Sequence, residues 1–166
     1  MSAPLPEPTI WKPSVTVAAV IERDGRFLLV EEETAEGLML NQPAGHLDPG
    51  ESLIEACVRE TLEETAHGFT PIALLGTYLA RSRSSRSGQS VSYLRFAFTG
   101  QLGAAVAGRE LDRGIVRTLW LTAGEIRESR ARHRSPLVLQ CVEDYLAGVS
   151  YLLALIHTHA SVTAAA

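Results

Sequence analysis

Three glutamates, Glu60, Glu63 and Glu64, have the residue type and spacing best suited to chemistry in this chain. Residues three and four positions apart lie on one side of a helix, so these carboxylates would share one surface and repel each other. A bound cation would reverse the sign of that interaction. Mg²⁺ prefers oxygen ligands and is commonly held between carboxylates and phosphate oxygens. The spacing therefore predicts metal-assisted chemistry on a phosphorylated small molecule.

The stretch from residue 45 to residue 64, GHLDPGESLIEACVRETLEE, resembles the signature of the Nudix hydrolases. In that signature a glycine, a glutamate and an Arg-Glu-x-x-Glu-Glu run stand at fixed intervals. The six fixed positions matched here are Gly45, Glu51, Arg59, Glu60, Glu63 and Glu64. With each residue type at roughly 6–7% abundance, six matches arise by chance on the order of once in ten million windows. The positions that depart from the pattern are Thr61, Ala66 and His67.

The resemblance implies a metal site built from these positions. Glu60, Glu63 and Glu64, together with the main-chain carbonyl of Gly45, would hold Mg²⁺, with Mn²⁺ as a substitute. Either Glu60 or Glu64 would accept a proton from the attacking water, and the sequence does not distinguish between them.

Arg59 and Glu51 each have two interpretations. Arg59 orients a carboxylate of the site, as the resemblance implies for a catalytic residue, or it forms an ordinary surface salt bridge with Glu63. Glu51 helps to position Arg59 or a ligand, or it simply caps the helix that begins near this point.

Residues outside the signature are candidates for contact with the substrate. Guanidinium groups match the geometry of phosphate, a histidine follows Gly45, and a tyrosine ring can stack on a substrate ring. The alternative for each is ordinary surface or core packing. The substrate-binding candidates are His46, Tyr78, Arg81, Arg83, Arg86 and Arg95. The family often recruits a further acid from a distant loop, and the candidates for it are Glu110 and Asp112.

The family resemblance implies hydrolysis of a phosphoric anhydride in which a nucleoside diphosphate is linked to a further group. A narrower similarity, to the bacterial phosphatase subgroup called NudJ, covers about residues 12–156. It implies a phosphatase of nucleoside tri- and diphosphates that also acts on thiamine-pathway pyrophosphates. The segments that carry it are KPSVTVA at 12–18, GRFLLVEE at 25–32, NQPAGHL at 41–47 and SPLV at 135–138.

Two other functions compete with this interpretation. One is a Nudix hydrolase of different specificity, for ADP-ribose, a nucleotide sugar or a dinucleoside polyphosphate. The other is a non-catalytic ligand sensor on the same fold, a class that commonly lacks signature acids and carries a second domain.

The composition indicates a soluble globular protein. The 166 residues are most simply one domain, with 46% apolar and 20% charged residues. The net charge of −4 argues against a nucleic-acid polymer as partner. No apolar run resembles a signal peptide or a membrane span, and two cysteines form no disulfide framework. We therefore expect a cytoplasmic monomer or homodimer that binds a small phosphorylated substrate.

The elements that must position these residues follow from local patterns. Strands are predicted at 15–21, 27–30, 38–42, 72–80, 91–99 and 115–121. Asp24-Gly25 predicts a hairpin between the first two strands. The signature helix begins near Glu51 or Ser52, carries an apolar stripe at positions 54, 58 and 62, and is closed by Gly68. Further helices are predicted after a capping box at 122–125 and from Ser135 to Gly148, whereas residues 151–156 fit a strand or a helix.

The order of elements predicts an α/β fold. Strands around one central helix, with further helices late in the chain, match a Nudix-type α/β/α sandwich with a mixed sheet and a central signature helix. The predicted organisation is a flexible lead-in over residues 1–12, a single domain over 13–156 and a disordered tail over 157–166.

Overall fold

A computed structural model describes residues 10–83 and 90–164, without the side chain of Arg83. The helices are α1 (Leu53–Thr65), α2 (Ala123–Glu128) and α3 (Leu137–Leu146). The strands are β1 (Ser14–Val20), β2 (Glu22–Arg23), β3 (Arg26–Thr34), β4 (Gly37–Asn41), β5 (Ala44–His46), β6 (His67–Arg83), β7 (Ser90–Ala105), β8 (Ile115–Thr122) and β9 (Tyr151–Leu152). Short 3-10 turns occupy Arg130–Arg132 and Leu153–Leu155. None of the helices within the described residues has the length and apolar character needed to cross a membrane.

The strands form two sheets. In the first sheet the order is β5-β1-β7-β6-β9, and β1 runs parallel to β7 whereas the other neighbours are antiparallel. In the second sheet β3 is antiparallel to β2, β4 and β8. The combination of one parallel pair with antiparallel pairs confirms the predicted mixed sheet.

Helices cover both faces of the first sheet. Residues 17–21 are buried without interruption, although alternate side chains of a strand point to opposite faces. Val17 packs in one apolar cluster with Cys57 of α1, whereas Ala18 packs in another with Val142 of α3. This arrangement confirms the predicted α/β/α sandwich, with α1 as the signature helix.

Nearby residues determine where α1 begins and ends. The Ser52 hydroxyl accepts the N–H of Glu55 at 3.1 Å, and the Glu55 carboxylate accepts the N–H of Ser52 at 2.8 Å. This capping box satisfies two amides that have no partner within the helix. At the other end Ala66 has φ of +57°, and its N–H donates to the carbonyl of Leu62. The predicted closure at Gly68 is wrong, because Ala66 itself adopts the left-handed conformation that glycine would adopt with less strain.

The buried face of α1 is rotated from the predicted stripe. Ile54, Val58 and Leu62 are only half-buried. The fully buried residues are Ala56, Cys57, Thr61, Glu64 and Thr65. Thr61 can be buried because its hydroxyl donates to the carbonyl of Cys57 at 2.8 Å, within the helix. A buried face predicted from apolar residues alone omits polar side chains, such as Thr61, whose hydrogen-bond partners lie within the helix.

Two further local predictions differ from the structure. Asp24 and Gly25 have φ of 52° and 76°, as a two-residue hairpin turn requires. The turn joins only β2 to β3, however, because β1 pairs with β5 and β7 instead. The segment 151–156 is neither strand nor helix throughout, since β9 is followed by a 3-10 turn.

One buried carboxylate ties elements of the second sheet together. Glu31 of β3 is 2% exposed, and it accepts hydrogen bonds from Arg117 Nε at 2.7 Å and from Arg132. The Arg117 guanidinium, assisted by Arg132, holds the pKa of Glu31 below its ordinary value despite burial. The charge of Glu31 is therefore compensated within the fold.

Candidate active site

Arg59 lies at the centre of a network that joins the loop before α1 to the acids of α1. Its Nε and Nη2 donate to the two carboxylate oxygens of Glu51 at 3.0 and 2.7 Å. Its Nη1 donates to Glu60 at 2.8 Å and to Glu63 at 3.0 Å. The carbonyl of His46 accepts a further bond from Nη2 at 2.9 Å. The hydrogen bonds that Arg59 donates to Glu51 are the largest cause of a raised Arg59 pKa.

These contacts bear on the two interpretations of each residue. Arg59 does contact Glu63, but the contact belongs to a network of three acids and is not an isolated surface pair. Glu51 does not cap α1, because Ser52 is the cap. The second role of Glu51 is to accept the N–H of Asp48 at 2.7 Å, which fixes the loop that precedes the helix.

Because Gly45 has no side chain, the carboxyl group of Glu60 can occupy the space beside its backbone. A Cβ built on Gly45 would sit 2.0 Å from the carboxyl carbon of Glu60, far inside any permitted contact. The resemblance implies that the main-chain carbonyl of Gly45 faces a cation. In the structure the group that approaches is the carboxylate itself, so any larger residue at position 45 must displace it.

Glu64 is buried beneath the same loop. It is 8% exposed, and one of its carboxylate oxygens accepts the N–H of Ala44 at 2.8 Å. Burial raises the pKa of Glu64 to about 9, and the nearby charges of Glu32, Glu60 and Asp112 act in the same direction. Burial also raises the pKa of Glu60. Burial therefore disfavours the charged form of both carboxylates, although Arg59 acts in the opposite direction on Glu60.

Of the two predicted loop acids, Asp112 approaches the acids of α1. Its N–H donates to the carbonyl of Glu63 at 2.9 Å, and its charge contributes to the raised pKa of Glu60 and of Glu64. Glu110 is exposed in the same loop.

The donors in this region fit a hard divalent cation by their chemistry. They are carboxylate and peptide oxygens, the ligands that Mg²⁺ prefers. Burial raises the pKa of Glu60 and Glu64, and a cation would favour their charged form. Among the residues described, however, no three His, Cys, Asp or Glu side chains already converge as an ion would require. Glu60 and Glu63 are instead hydrogen bonded to Arg59. An ion would therefore require these side chains to move.

A cavity of about 530 Å³ opens beside the Gly45 loop, a volume typical of small-molecule sites. It is bounded by the first sheet, by β4 and by the segment that leads into α3. The residues that line it are Thr16, Glu32, Asn41, Ala44, Gly45, His46, Ala80, Arg81, Ser82, Tyr93, Arg95, Arg134, Ser135, Pro136 and Leu137.

Three of the predicted substrate-binding residues line this cavity. His46 and Arg81 are exposed, whereas Arg95 is 8% exposed. Arg95 Nη1 donates to Gln42 Oε1 at 3.4 Å, so this charge within a strand has a neutral partner. Burial lowers the pKa of Arg95.

Among the described residues, the predicted contact Tyr78 is not part of this cavity. Tyr78 packs against the apolar cluster that contains α3 residues, and its hydroxyl donates to Asp144 at 2.8 Å. Core packing, the alternative interpretation, is therefore what the structure shows for Tyr78. The side chain of Arg83 and the whole of Arg86 lie outside the described residues.

Sequence reasoning did not single out Thr16, Glu32, Asn41, Arg134 or Ser135 as cavity residues. A signal for most of them was present. Each of the four segments that carry the narrower resemblance contributes at least one residue to the lining, although the segments are far apart in the chain. The resemblance had been used to infer activity and not to locate a pocket.

Comparisons with known proteins find matches over most of the chain. Residues 11–140 match the NUDIX domain family. The phosphatase NudJ of Escherichia coli (strain K12) is 35% identical over 147 residues, which are 89% of this chain and 92% of that protein.

Solved structures also resemble this chain. A NUDIX hydrolase from Nitrosomonas europaea superposes with a TM-score of 0.80 at 52% identity, over 89% of this chain and 98% of that one. A MutT protein from Methanosarcina mazei Go1 has a TM-score of 0.66 at 21% identity, over 84% of this chain and 99% of the other. At that identity the likeness is one of fold alone.

Proposed function

Because the chain belongs to the Nudix hydrolase family, we propose that it hydrolyses phosphoric anhydrides with the help of Mg²⁺, and that Mn²⁺ can replace Mg²⁺. We propose nucleoside tri- and diphosphates and thiamine-pathway pyrophosphates as its substrates. The similarity to the phosphatase NudJ, over most of both chains, supports this choice. The observation that carries the proposal is the assembly of the signature residues beside a cavity large enough for a nucleoside. Arg59 contacts Glu51, Glu60 and Glu63, the Glu60 carboxyl group lies against Gly45, and Glu64 accepts the N–H of Ala44 in the same loop.

The acids of α1 are the proposed ligands. Glu60, Glu63 and Glu64, with the carbonyl of Gly45, would hold the ion, and Asp112 lies close enough to add negative charge. When bound, Mg²⁺ would polarise phosphoryl oxygens and lower the pKa of a coordinated water.

The chain's own residues supply positioning and proton transfer. Arg59 holds the carboxylates of Glu60 and Glu63 on one side of the helix, and Glu51 fixes the orientation of Arg59. The N–H of Ala44 holds one oxygen of Glu64. Glu60 or Glu64 accepts the proton of the attacking water, and both stay candidates in this proposal.

The non-phosphate part of the substrate is proposed to enter the cavity. The cavity borders the same loop, Ala44 to His46, that contacts Glu60 and Glu64. A phosphate chain at the acids therefore directs the rest of the molecule into the cavity. The positive charge of Arg81 at its lining would offset the negative charge of the substrate. We propose that the protein acts in the cytoplasm as a monomer or homodimer, with residues 13–156 as its single domain.

A panel of substrates tests the function. Purified protein with Mg²⁺ is incubated with GTP, GDP, thiamine diphosphate, ADP-ribose and diadenosine polyphosphates, and the products are separated by HPLC, because cleavage of the last two substrates releases no inorganic phosphate. We expect turnover of the nucleotides and of thiamine diphosphate. Turnover of ADP-ribose alone would contradict the proposed specificity, and binding without any turnover would identify a ligand sensor.

Two variants test the site within that panel. Glu63→Gln and Glu64→Gln should lose most of the turnover while their thermal melting remains cooperative, because they remove negative charge from the proposed metal site. Glu128→Gln is the matched control, since Glu128 is an exposed acid of α2. Full activity in both signature variants would contradict the assignment of the site.

A further inference from the structure

Three buried side-chain polar atoms lack a hydrogen-bond partner among the described residues, and all three side chains line the same cavity. They are Thr16 Oγ1, Asn41 Oδ1 and Arg95 Nε. Their residues are 7%, 7% and 8% exposed. Buried polar groups are almost always paired, because an unpaired one is destabilising. Finding all of these atoms in one cavity indicates that the cavity is built to pair them with something else.

The strands fix the positions of these side chains. Thr16 of β1 lies opposite Arg95 of β7 on one side and opposite His46 of β5 on the other, so the three side chains form one row across a single face of the sheet. Asn41 reaches the cavity from the end of β4. Gln42 accepts a bond from Arg95 Nη1, and its own amide donates to the carbonyl of Val138 at 2.7 Å, which anchors the guanidinium from behind.

The types of the unpaired atoms restrict the ligand. Arg95 Nε only donates, Asn41 Oδ1 only accepts, and the Thr16 hydroxyl does both. A ligand that pairs all three must carry an acceptor and a donor. Ionised phosphate oxygens only accept, so phosphate alone leaves Asn41 Oδ1 unpaired.

Aromatic surface in the cavity favours a ring as the occupant. The rings of His46 and Tyr93 both line it, with centroids 6.3 Å apart. Base rings stack on such side chains, and each base also carries donors and acceptors on its edge. A sugar has the hydroxyl groups but lacks the flat face.

We infer that Thr16, Asn41 and Arg95 determine the specificity of the enzyme by hydrogen bonding to the heterocyclic base of its substrate. This inference rests on the proposed function, because the base reaches the cavity when the phosphates lie at the acids of α1. A base whose edge forms hydrogen bonds with all three atoms removes the free-energy cost of leaving them unpaired. A base without matching groups leaves these atoms buried and unpaired. Sites of this kind discriminate strongly against ligands that lack the matching groups.

Equilibrium binding without metal separates base recognition from catalysis. The full chain, in EDTA, is titrated by NMR with CMP, UMP, AMP, GMP and thiamine monophosphate, and with ribose 5-phosphate as the ligand without a base. The variants are Thr16→Val and Asn41→Leu, which keep side-chain shape and remove the polar atom. The matched control is Thr99→Val, in the same sheet but outside the cavity lining.

We expect at least one base-bearing ligand to bind the wild type tenfold or more tightly than ribose 5-phosphate does. Thr16→Val and Asn41→Leu should each weaken that ligand by about tenfold, as the loss of one hydrogen bond does, and change the affinity for ribose 5-phosphate less than twofold. Thr99→Val should change neither affinity. The Tm of Thr16→Val should equal or exceed that of the wild type, because the substitution removes an unpaired hydroxyl.

Three results would overturn the inference. They are a wild type without base preference, variants that retain the full preference, and variants that weaken ribose 5-phosphate and the base-bearing ligand equally. Failure of the proposed function has a different readout, namely the absence of anhydride turnover by the wild type with Mg²⁺.

Discussion

Gly45→Ala is the substitution for which the structure gives the most definite magnitude. Gly45 has no positive φ, so alanine fits its backbone. The new methyl carbon would sit 2.0 Å from the carboxyl carbon of Glu60, whereas ordinary contact begins at 3.4 Å. The carboxyl group must therefore retreat by at least about 1.4 Å, the difference between these distances. That movement also disturbs the 2.8 Å hydrogen bond from Arg59 to Glu60.

A misplacement of about 1 Å at a catalytic centre can lower the rate by about a hundredfold. We therefore expect Gly45→Ala to lower kcat/KM for Mg²⁺-dependent phosphate release by about this factor, with a small change in Tm because the end of a flexible side chain absorbs the clash. Gly68→Ala is the matched control, since a Cβ there meets nothing within 4 Å. Turnover of Gly45→Ala at the wild-type rate would refute the reasoning that the Glu60 carboxyl group needs the space beside Gly45.

Three other predictions concern stability and reactivity. Glu51→Gln should lower the free energy of unfolding, measured in urea, by about 1–3 kcal/mol, and it should lower turnover about tenfold, because Arg59 loses the charged partner that orients it. An unchanged free energy of unfolding would contradict the role of Glu51 in the network. The pKa of Glu31 is lower in the folded state, so its stabilising contribution is present above pH 4.5, the ordinary value, and is lost as the pH falls through the folded pKa. Glu31→Gln should therefore reduce the dependence of the free energy of unfolding on pH below pH 4.5. An unchanged dependence would contradict the claim that Arg117 and Arg132 compensate the charge of Glu31. Cys57 and Cys141 are buried with raised pKa, so DTNB should label them only after unfolding, and rapid labelling of the native protein would contradict their burial.

The sequence was sufficient to predict most of the elements and part of the network of the signature. Strand positions followed from β-branched runs, and the preference for an oxygen-bearing side chain at the start of a helix left Glu51 and Ser52 as candidates, of which the structure selects Ser52. The contact of Arg59 with Glu63 needed only helical spacing, whereas its contact with the adjacent Glu60 does not follow from that spacing. Strand propensity, helix capping and helical spacing depend on residues close together in the chain, so they can be predicted from the sequence.

Most of the features that were missed depend on tertiary contacts. The burial of Glu64 results from its bond to Ala44, twenty residues earlier, and no periodicity reports that contact. The cavity unites Thr16, Asn41 and Arg95 through strand pairing between distant segments. Ala66 adopts a left-handed backbone that propensity assigns to glycine. The first two outcomes are decided by contacts across the fold, whereas Ala66 departs from local propensity.

The central claim is that the acids of α1 hold a divalent cation against a phosphorylated substrate. Isothermal titration calorimetry of the wild type with Mg²⁺ and Mn²⁺, with and without a non-hydrolysable nucleotide, tests it directly. We predict saturable binding that the nucleotide strengthens and that Glu63→Gln and Glu64→Gln weaken. No heat of binding under either condition, or binding that these variants leave unchanged, would contradict the claim.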